Sequence, residues 1–465
     1  MKVMMHSLVN HFLIIFKLII LISLIPFVAK ASVLVQDSIS ILDTVVHVES
    51  LDSVPPVDSI VVTDSTKPYE TIVKIHSIGN IENPYTILIS FDGLRYDSMI
   101  GDTLKYFKYI KENGVKAHSL KPVFPTTTLP NHYSMLTGMY PVNHGVIVNS
   151  FKDPFYNDYF SSNSKGSRRL SKWYIAESFW ETARRQGIKT AACYWTYPEL
   201  EDYTKNPDYL IEFDGEVSYF DRVDEGFEWF EKDYVERPKF MAFYFEEADI
   251  KSHLFGTQSR EMASGLLVID SIVGYIYDKL KKINLFDSTN IIIVSDHGIM
   301  DFDSNKVIYV DSILSGIRYE VQNYGAFMMI DANKNVLQEV YDSLKSKSDN
   351  YDVYNSETIP EYLHFTKHPY ISPIIILAKP GWILIDKTSE EKSKKIKAIH
   401  GYDNTELAMH GVFYAMGPSF KVNFQTGTIN NLDIYPLLCE IFKILPRNNI
   451  DGKLDRIKFI LKDKK

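Results

Sequence analysis

From about residue 84 onward, short apolar runs alternate with amphipathic stretches, and this alternation constrains the fold more than any other feature of the chain. Residues 86–91, 188–194, 240–245 and 291–294 read as strands, the first with turn residues directly after it. Between them, 102–113, 172–186, 221–233 and 262–282 read as amphipathic helices, and Gly114 and Gly187 stop the first two. Buried strands that alternate with helices belong to a largely parallel sheet covered on both faces. The expected fold class is therefore α/β, with a mostly parallel central sheet and helices on both faces. In such sheets ligands gather at the carboxyl ends of the strands. Residues 301–399 carry further strand candidates at 326–330, 374–377 and 382–385, and read as an inserted subdomain that partly covers the site.

The chain before residue 84 has a different character. Residues 1–31 read as a signal peptide: Lys2 is the positive end, 12–28 is apolar apart from Lys17 and Ser23, and Ala29-Lys30-Ala31 is a small-x-small cleavage site. An uncleaved N-terminal anchor is the alternative. The segment has no Cys, which closes the bacterial lipoprotein route. No later stretch reaches the ~20 apolar residues of a bilayer span, so no stable membrane span is expected after cleavage. Residues 32–80, rich in Asp, Ser, Val and Pro, read as a linker with at most an edge strand, which leaves 81–465 as the catalytic body. The two cysteines, Cys193 and Cys439, make no disulfide framework, and no Asn begins an N-x-Ser/Thr sequon. Among exported destinations (periplasm, cell surface or secretion) both absences favour a bacterial periplasm or surface. A net charge of -9 argues against a basic footprint for duplex nucleic acid and leaves room for a local pocket that takes a small anion.

Four short segments place metal-binding side chains near strand or helix ends. Ser90-Phe91-Asp92-Gly93 and Ser295-Asp296-His297-Gly298 each follow a strand candidate. Glu246-Glu247-Ala248-Asp249 follows a third, with His253 four residues on, so Asp249 and His253 can face one ion from adjacent turns. His400-Gly401-Tyr402-Asp403-Asn404 lies downstream. Together Asp92, Asp249, His253, Asp296, His297 and His400 offer three protein ligands to each of two ions, and these donors suit zinc with an open position. Two ions ~3.5–4 Å apart can clamp the attacking and leaving oxygens of a phosphoryl displacement. Singly, each motif has an ordinary reading as a helix cap, a surface pair or a turn; their joint occurrence carries the signal. His364 and His368 have the same i, i+4 spacing but no strand-end Asp, and read as surface or subdomain residues. His132, His144 and His410 read as structural or supporting.

The segment from Pro125 to His132 contains three candidate nucleophiles, Thr126, Thr127 and Thr128. Thr128 precedes Leu129-Pro130, and proline in a first turn marks a helix start. Free amides and the positive end of the dipole there would face a bound phosphate. Coordination to a metal would activate the hydroxyl without a His base. Local sequence equally allows Thr128 to be a helix N-cap, and chemistry alone leaves the three threonines open.

These residues resemble the ectonucleotide pyrophosphatase/phosphodiesterase family of the alkaline phosphatase superfamily over most of the chain, from about Pro84 to about Gly452. The resemblance is carried by Phe91-Asp92-Gly93, Thr128-x-Pro130-Asn131-His132-Tyr133, Thr137-Gly138-x-Tyr140-Pro141-x-x-His144-Gly145, Glu246-Glu247-x-Asp249-x-x-x-His253, Ser295-Asp296-His297-Gly298 and His400-Gly401-Tyr402-Asp403-Asn404. It implies an alkaline-phosphatase-like fold and singles out Thr128 as nucleophile. It also implies two Zn2+ per chain, one bound by Asp249, His253 and His400, the other by Asp92, Thr128, Asp296 and His297. Asn149 would hold a phosphate oxygen, a role that the resemblance alone suggests. The implied activity is that of an exported zinc-dependent phosphodiesterase or nucleotide pyrophosphatase, acting on small phosphodiesters or nucleotides through a phosphothreonine. The rivals are a related two-metal phosphohydrolase acting on phospholipid headgroups, phosphonates or monoesters, and a non-catalytic binding protein of the same fold. A sulfatase would need a modified Cys or Ser in another motif. Three positions depart from the family pattern: Leu129 replaces the usual Phe that stacks on a base, Trp195-Thr196-Tyr197-Pro198 replaces Trp-Pro-Gly-Ser, and Ala248 stands where Pro or Ser is usual. Weak base selectivity is expected, with Tyr197 or Tyr209 as the ring for the other face of a base.

Overall fold

The computed structural model describes residues 84–99, 103–156, 158–197 and 199–463, and the backbone of two short strands, Ile60–Val62 and Thr71–Val73. The expected signal peptide at 1–31 and most of the 32–80 linker lie outside the described residues. Within the linker the two short strands pair antiparallel, with Ile60 opposite Val73.

The main sheet has eight strands: β1 (Tyr85–Phe91), β2 (Val115–Ala117), β3 (Thr190–Cys193), β4 (Tyr209–Ile211), β5 (Phe240–Phe245), β6 (Thr289–Val294), β7 (Phe413–Met416) and β8 (Phe424–Thr426). Their spatial order is β8-β2-β7-β6-β1-β5-β3-β4. β6, β1, β5, β3 and β4 run parallel, whereas β7 is antiparallel to both β6 and β2. Every residue of β1, β5 and β6 is buried, as strands covered on both sides require.

Successive side chains leave a strand on opposite faces, and two cores form accordingly. Leu88, Ala242 and Val294 point to the face covered by α2 (Thr128–Thr137), α3 (Phe179–Arg184) and α7 (Ile434–Phe442). Ile89, Phe243 and Ile293 point to the face covered by α1 (Lys105–Asn113), α4 (Tyr219–Phe227) and α6 (Arg260–Lys282). Each buried Leu, Ile or Phe contributes roughly 1.5–3 kcal/mol to this packing. Cys193 belongs to one core and Cys439 to the other, so the sheet lies between them and both are free thiols.

Helix ends differ from the sequence reading for local reasons. The 172–186 candidate is a short turn at Ser171–Trp173 followed by α3, because Ser178 and Glu181 form a capping box that starts the helix there. The 221–233 candidate is α4 followed by a 3-10 turn at Glu228–Glu231. Within 301–399 a separate antiparallel sheet has the order (Tyr319–Gln322), (Phe327–Ala332), (Ile374–Ala378), (Tyr351–Asn355). One face of it, with Met328, Ile330 and Ile376, packs on the helix Leu337–Lys345; the other, with Phe327, Met329 and Ile375, joins the core of the main sheet. Ile383–Ile385 pairs in parallel with Val307–Tyr309.

The first turn of α1 has no cap of its own. The Asp270 carboxylate, from α6, accepts from the Tyr106 and Phe107 amides at 2.9 and 3.0 Å. Asp270→Ala should cost about 1–2 kcal/mol, the usual worth of a helix cap, and lower the urea midpoint accordingly. An unchanged midpoint would exclude Asp270 as the residue that ties α1 to α6.

Candidate metal centre

Three adjacent parallel strands end level with one another. Phe245 of β5 lies opposite Phe91 of β1, and Ser90 lies opposite both Tyr244 and Val294. The chain therefore leaves the sheet at one edge three times, and delivers Asp92, the Glu246–Asp249 turn and Asp296-His297 to the same place. The Asp92 amide donates to Phe245 O at 2.9 Å, which fixes the first exit. Helix α5 (Glu247–Phe255) starts directly after β5 and puts His253 Nε2 3.2 Å from Asp249 Oδ1. His400 returns from the insertion after Ala398–Ile399 pairs with Met300–Asp301. Gly93 permits the crowding: its φ is +65°, its amide donates to Asp296 Oδ1 at 3.2 Å, and a Cβ there would sit 2.9 Å from Asp249 Oδ1.

All six expected ligands converge. Asp249, His253 and His400 form one group whose donor atoms lie within 4.8 Å of one another, and Asp92, Asp249 and His297 form a second. His297 Nε2 lies 3.4 Å from Asp92 Oδ1 and 3.3 Å from Asp296 Oδ2. Each imidazole is oriented by a backbone carbonyl: the Nδ1–H of His253 donates to Ala398 O (2.8 Å), that of His400 to Thr126 O (2.9 Å) and that of His297 to Gly298 O (3.0 Å). With Nδ1 protonated, Nε2 carries the lone pair and faces the cluster, as metal-binding histidines require.

The charges explain what such a cluster lacks. Asp92 Oδ1, Asp249 Oδ1 and Asp296 Oδ2 are buried and accept no hydrogen bond. Burial, with the negative charges of Asp296 and Asp249, holds the Asp92 carboxyl well above the ordinary carboxylate range. Burial and Asp249 push Asp296 up to about 8, partly offset by the Gly93 amide. Burial lowers His400 to about 4 and His297 well below its usual range, so both are neutral donors. Burial also opposes ionisation of Asp249, but the neighbouring His253, His400 and His297 outweigh it and its carboxyl is lowered. Three Asp side chains with orphaned oxygens and three imidazoles, two of them (His297 and His400) held neutral by burial and the third, His253, raised by Asp249 despite its burial, make a donor set that fits divalent cations.

The three threonines separate. The Thr126 hydroxyl donates to Tyr402 O and accepts from the Gly401 amide, while its carbonyl holds His400; it is a clamp on the His400 loop. Thr127 is the N-cap of α2. Thr128 is the first residue of α2, with Oγ1 3.3 Å from His297 Nε2. Asn149 Oδ1 accepts from the Leu129 amide at 3.1 Å, which leaves the Asn149 NH2 group to donate elsewhere. His132 donates from Nδ1 to Thr128 O, accepts at Nε2 from Ser90, and is lowered by burial to about 3. Asp92 gains a partner that the sequence reading missed, the Tyr244 hydroxyl, donating to Oδ2 at 2.5 Å. Its only signal was a polar tip in a strand of Phe, Met and Ala.

His364 stacks on Tyr140 and His368 packs against Tyr370, and neither belongs to the metal-ligand groups. Tyr197 is not available to a base: it is buried, its hydroxyl donates to Leu129 O, and its ring packs on Tyr133 and Tyr174. Tyr209 stacks on Trp229 at the far strand of the sheet. The cleft beside the metal ligands, of about 480 Å³, is bordered by Asn149, His253 and His400 and by Tyr324 of the insertion. Tyr324, 45% exposed, is the tyrosine that borders this cleft among the described residues.

Comparison with known proteins gives the family of the chain. The family model described as type I phosphodiesterase/nucleotide pyrophosphatase matches residues 86–403. The chain is 33% identical to ectonucleotide pyrophosphatase/phosphodiesterase family member 5 of Homo sapiens, over 78% of this chain and 75% of that protein. It is 34% identical to the bis(5'-adenosyl)-triphosphatase enpp4 of Mus musculus, over 82% of each chain. Among solved structures, murine ectonucleotide pyrophosphatase/phosphodiesterase 5, in an inactive threonine-to-alanine form in complex with AMP, superposes with a TM-score of 0.77 at 31% identity, covering 82% of this chain and 100% of that one. The α/β, alkaline-phosphatase-like fold follows from this match and from the mostly parallel sheet.

Because a Cβ at Gly93 would displace Asp249, which belongs to both ligand groups, Gly93→Ala should lower the amount of divalent metal the protein retains. Elemental analysis after dialysis measures this. Full metal content in a folded Gly93→Ala protein would show that the close approach does not govern the site.

Proposed function

The chain belongs to the type I phosphodiesterase/nucleotide pyrophosphatase family, and on that premise we propose that it is an exported, zinc-dependent enzyme that cleaves phosphodiester and pyrophosphate bonds of small nucleotide-type substrates through a phosphothreonine on Thr128. One observation carries the reading: a helix-terminal hydroxyl, Thr128 Oγ1, lies 3.3 Å from His297 within a group of buried, hydrogen-bond-deficient carboxylates and oriented imidazoles. Two relatives support it. The murine structure with AMP is of a threonine-to-alanine form described as inactive, and the mouse enpp4 is named for hydrolysis of a dinucleoside triphosphate. Export is carried by the signal-like sequence at 1–31. Among the described residues no helix is long and apolar enough to cross a membrane.

In this reading Asp249, His253 and His400 would hold one zinc ion, and Asp92, Thr128, Asp296 and His297 the other. When bound, the ions neutralise charge on the phosphoryl oxygens and lower the pKa of the threonine hydroxyl. Thr128 Oγ forms a bond to phosphorus as the bond to the leaving oxygen breaks, and water then attacks phosphorus and returns Thr128. The amino end of α2 favours the anionic phosphoryl group. Asn149, with its Oδ1 engaged by the Leu129 amide, donates from Nδ2 to a non-bridging oxygen. The side chain of Lys152, three residues after Asn149, is paired with Glu320 at 3.0 Å. A single neutral donor suits a monoanionic diester better than a dianionic monoester, so diesters and pyrophosphates are the favoured class.

Thr128→Ala should nearly abolish turnover of a nitrophenyl nucleoside monophosphate diester and leave the fold intact, while Thr128→Ser keeps part of it. Chelation should silence the wild type, and zinc should restore it. Normal turnover by Thr128→Ala, or by exhaustively chelated wild type, would overturn the mechanism. A nitrophenyl monoester hydrolysed faster than the diester would move the enzyme to the monoesterases.

Asn149→Ala should reduce kcat by roughly 10²–10³, the cost of one donor to a charge that grows in the transition state, with metal content unchanged. Loss of metal in that variant would make Asn149 structural.

A further inference from the structure

Beside the metal ligands the cleft continues into the insertion, and its two ends differ in chemistry. Its inner end is bordered by Thr127 and Asn149, beside Thr128, and by His253 and His400 of one ligand group, while Asp92, Asp296 and His297 of the other do not line it. In an in-line displacement the leaving group departs on the side of phosphorus away from the nucleophile. The part of the substrate that leaves is therefore directed toward His253 and His400 and into this cleft.

The outer end is equipped for more than a simple alcohol. Its floor is apolar, formed by the buried Ile383, Ile385 and Ile399. Lys392 reaches it and has no ion-pair partner among the described residues, whereas Lys394 is engaged by Glu390 and Glu391. Tyr324 stands on the rim in a fixed position: the adjoining Gly325 exchanges both backbone hydrogen bonds with Leu384 (3.1 and 2.7 Å), and the Tyr324 hydroxyl donates to Asp386 at 2.9 Å. A volume of about 480 Å³ lies within the roughly 300–1,000 Å³ of small-molecule sites.

We propose that this cleft is a leaving-group subsite for the departing nucleoside phosphate of a dinucleoside polyphosphate, with Lys392 on a distal phosphate and Tyr324 against the base above the isoleucine floor. The inference rests on the phosphodiesterase reading above. It assigns specificity to the insertion, on the opposite side of the reacting phosphorus from the transferred nucleotide. An ammonium selects for charge beyond the scissile phosphate, and a fixed ring over an apolar floor selects for a flat group at the end of it.

Three substrates that share one transferred nucleoside monophosphate separate these contributions: the nitrophenyl ester, the nucleoside triphosphate and the dinucleoside triphosphate. Their leaving groups carry a ring without phosphate, phosphate without a ring, and both. For Lys392→Met, the kcat/KM ratio of triphosphate to nitrophenyl ester should fall roughly tenfold, in line with loss of a charged hydrogen bond. For Tyr324→Ala, the ratio of dinucleoside triphosphate to nucleoside triphosphate should fall roughly tenfold, in line with loss of one stacked base. Both side chains are exposed, and turnover of the nitrophenyl ester reports the folded state. Ratios that stay at wild-type values in both variants, or a wild type that cleaves the nitrophenyl ester but not the dinucleoside triphosphate, would overturn the subsite and leave the phosphodiesterase reading standing. A wild type that cleaves none of the three in the presence of zinc would overturn that reading itself.

Discussion

Three carboxylates, Asp92, Asp249 and Asp296, meet in a site where each has an oxygen without a hydrogen-bond partner, and the rest of the structure is arranged around that repulsion. Burial, reinforced by the neighbouring carboxylates, drives Asp92 and Asp296 toward the protonated form, so the assembly is electrostatically incomplete as protein. It persists because the covalent chain exits three in-register strands at that edge, and because two cores of Leu, Ile, Val and Phe hold those strands in place. A scaffold that keeps like charges together is what a divalent cation can exploit.

The imidazole half of the donor set is oriented by backbone. His253, His297 and His400 each give their Nδ1 proton to a carbonyl from a different segment, so the lone pair on Nε2 is aimed before any ion arrives. Thr126 ties this arrangement to the start of α2, since its carbonyl orients His400 and its hydroxyl bridges the backbone at Gly401 and Tyr402. The neighbouring residues Thr127 and Thr128 differ: Thr127 stands at the N-cap position with its hydroxyl making no cap hydrogen bond, and Thr128 presents its hydroxyl beside His297. Gly93 marks where the packing is tightest, because only a residue without Cβ lets the strand-end turn lie against Asp249.

The insertion is part of the active surface rather than an appendage. One face of its sheet shares the core of the main domain, and its return strand ends at His400. Tyr324, in the loop before Phe327–Ala332, and Lys392, in the short helix Glu390–Ser393, border the same cleft as His400.

The sequence by itself determined the strands that build the site. The apolar runs at 240–245 and 291–294 are strands, and the polar residues directly after them are the ones that converge, because a fully buried strand must end where charge begins. Periodicity also placed Asp249 and His253 on one helix face. Only the tertiary structure decided what depends on contacts distant in sequence. Tyr244 looks like one more ring in an apolar strand until Asp92 is set beside it, 152 residues away. Which of Thr126, Thr127 and Thr128 faces His297, and which one holds His400, is set by contacts of the same kind. Tyr197 and Tyr209 were equal to Tyr324 as aromatic side chains in the sequence; they differ because packing turns Tyr197 into the core and stacks Tyr209 on Trp229, while the insertion leaves Tyr324 at the cleft. Residue type sets which chemistry is available, but solvent access and the identity of long-range neighbours arise only when the sheets close on their cores.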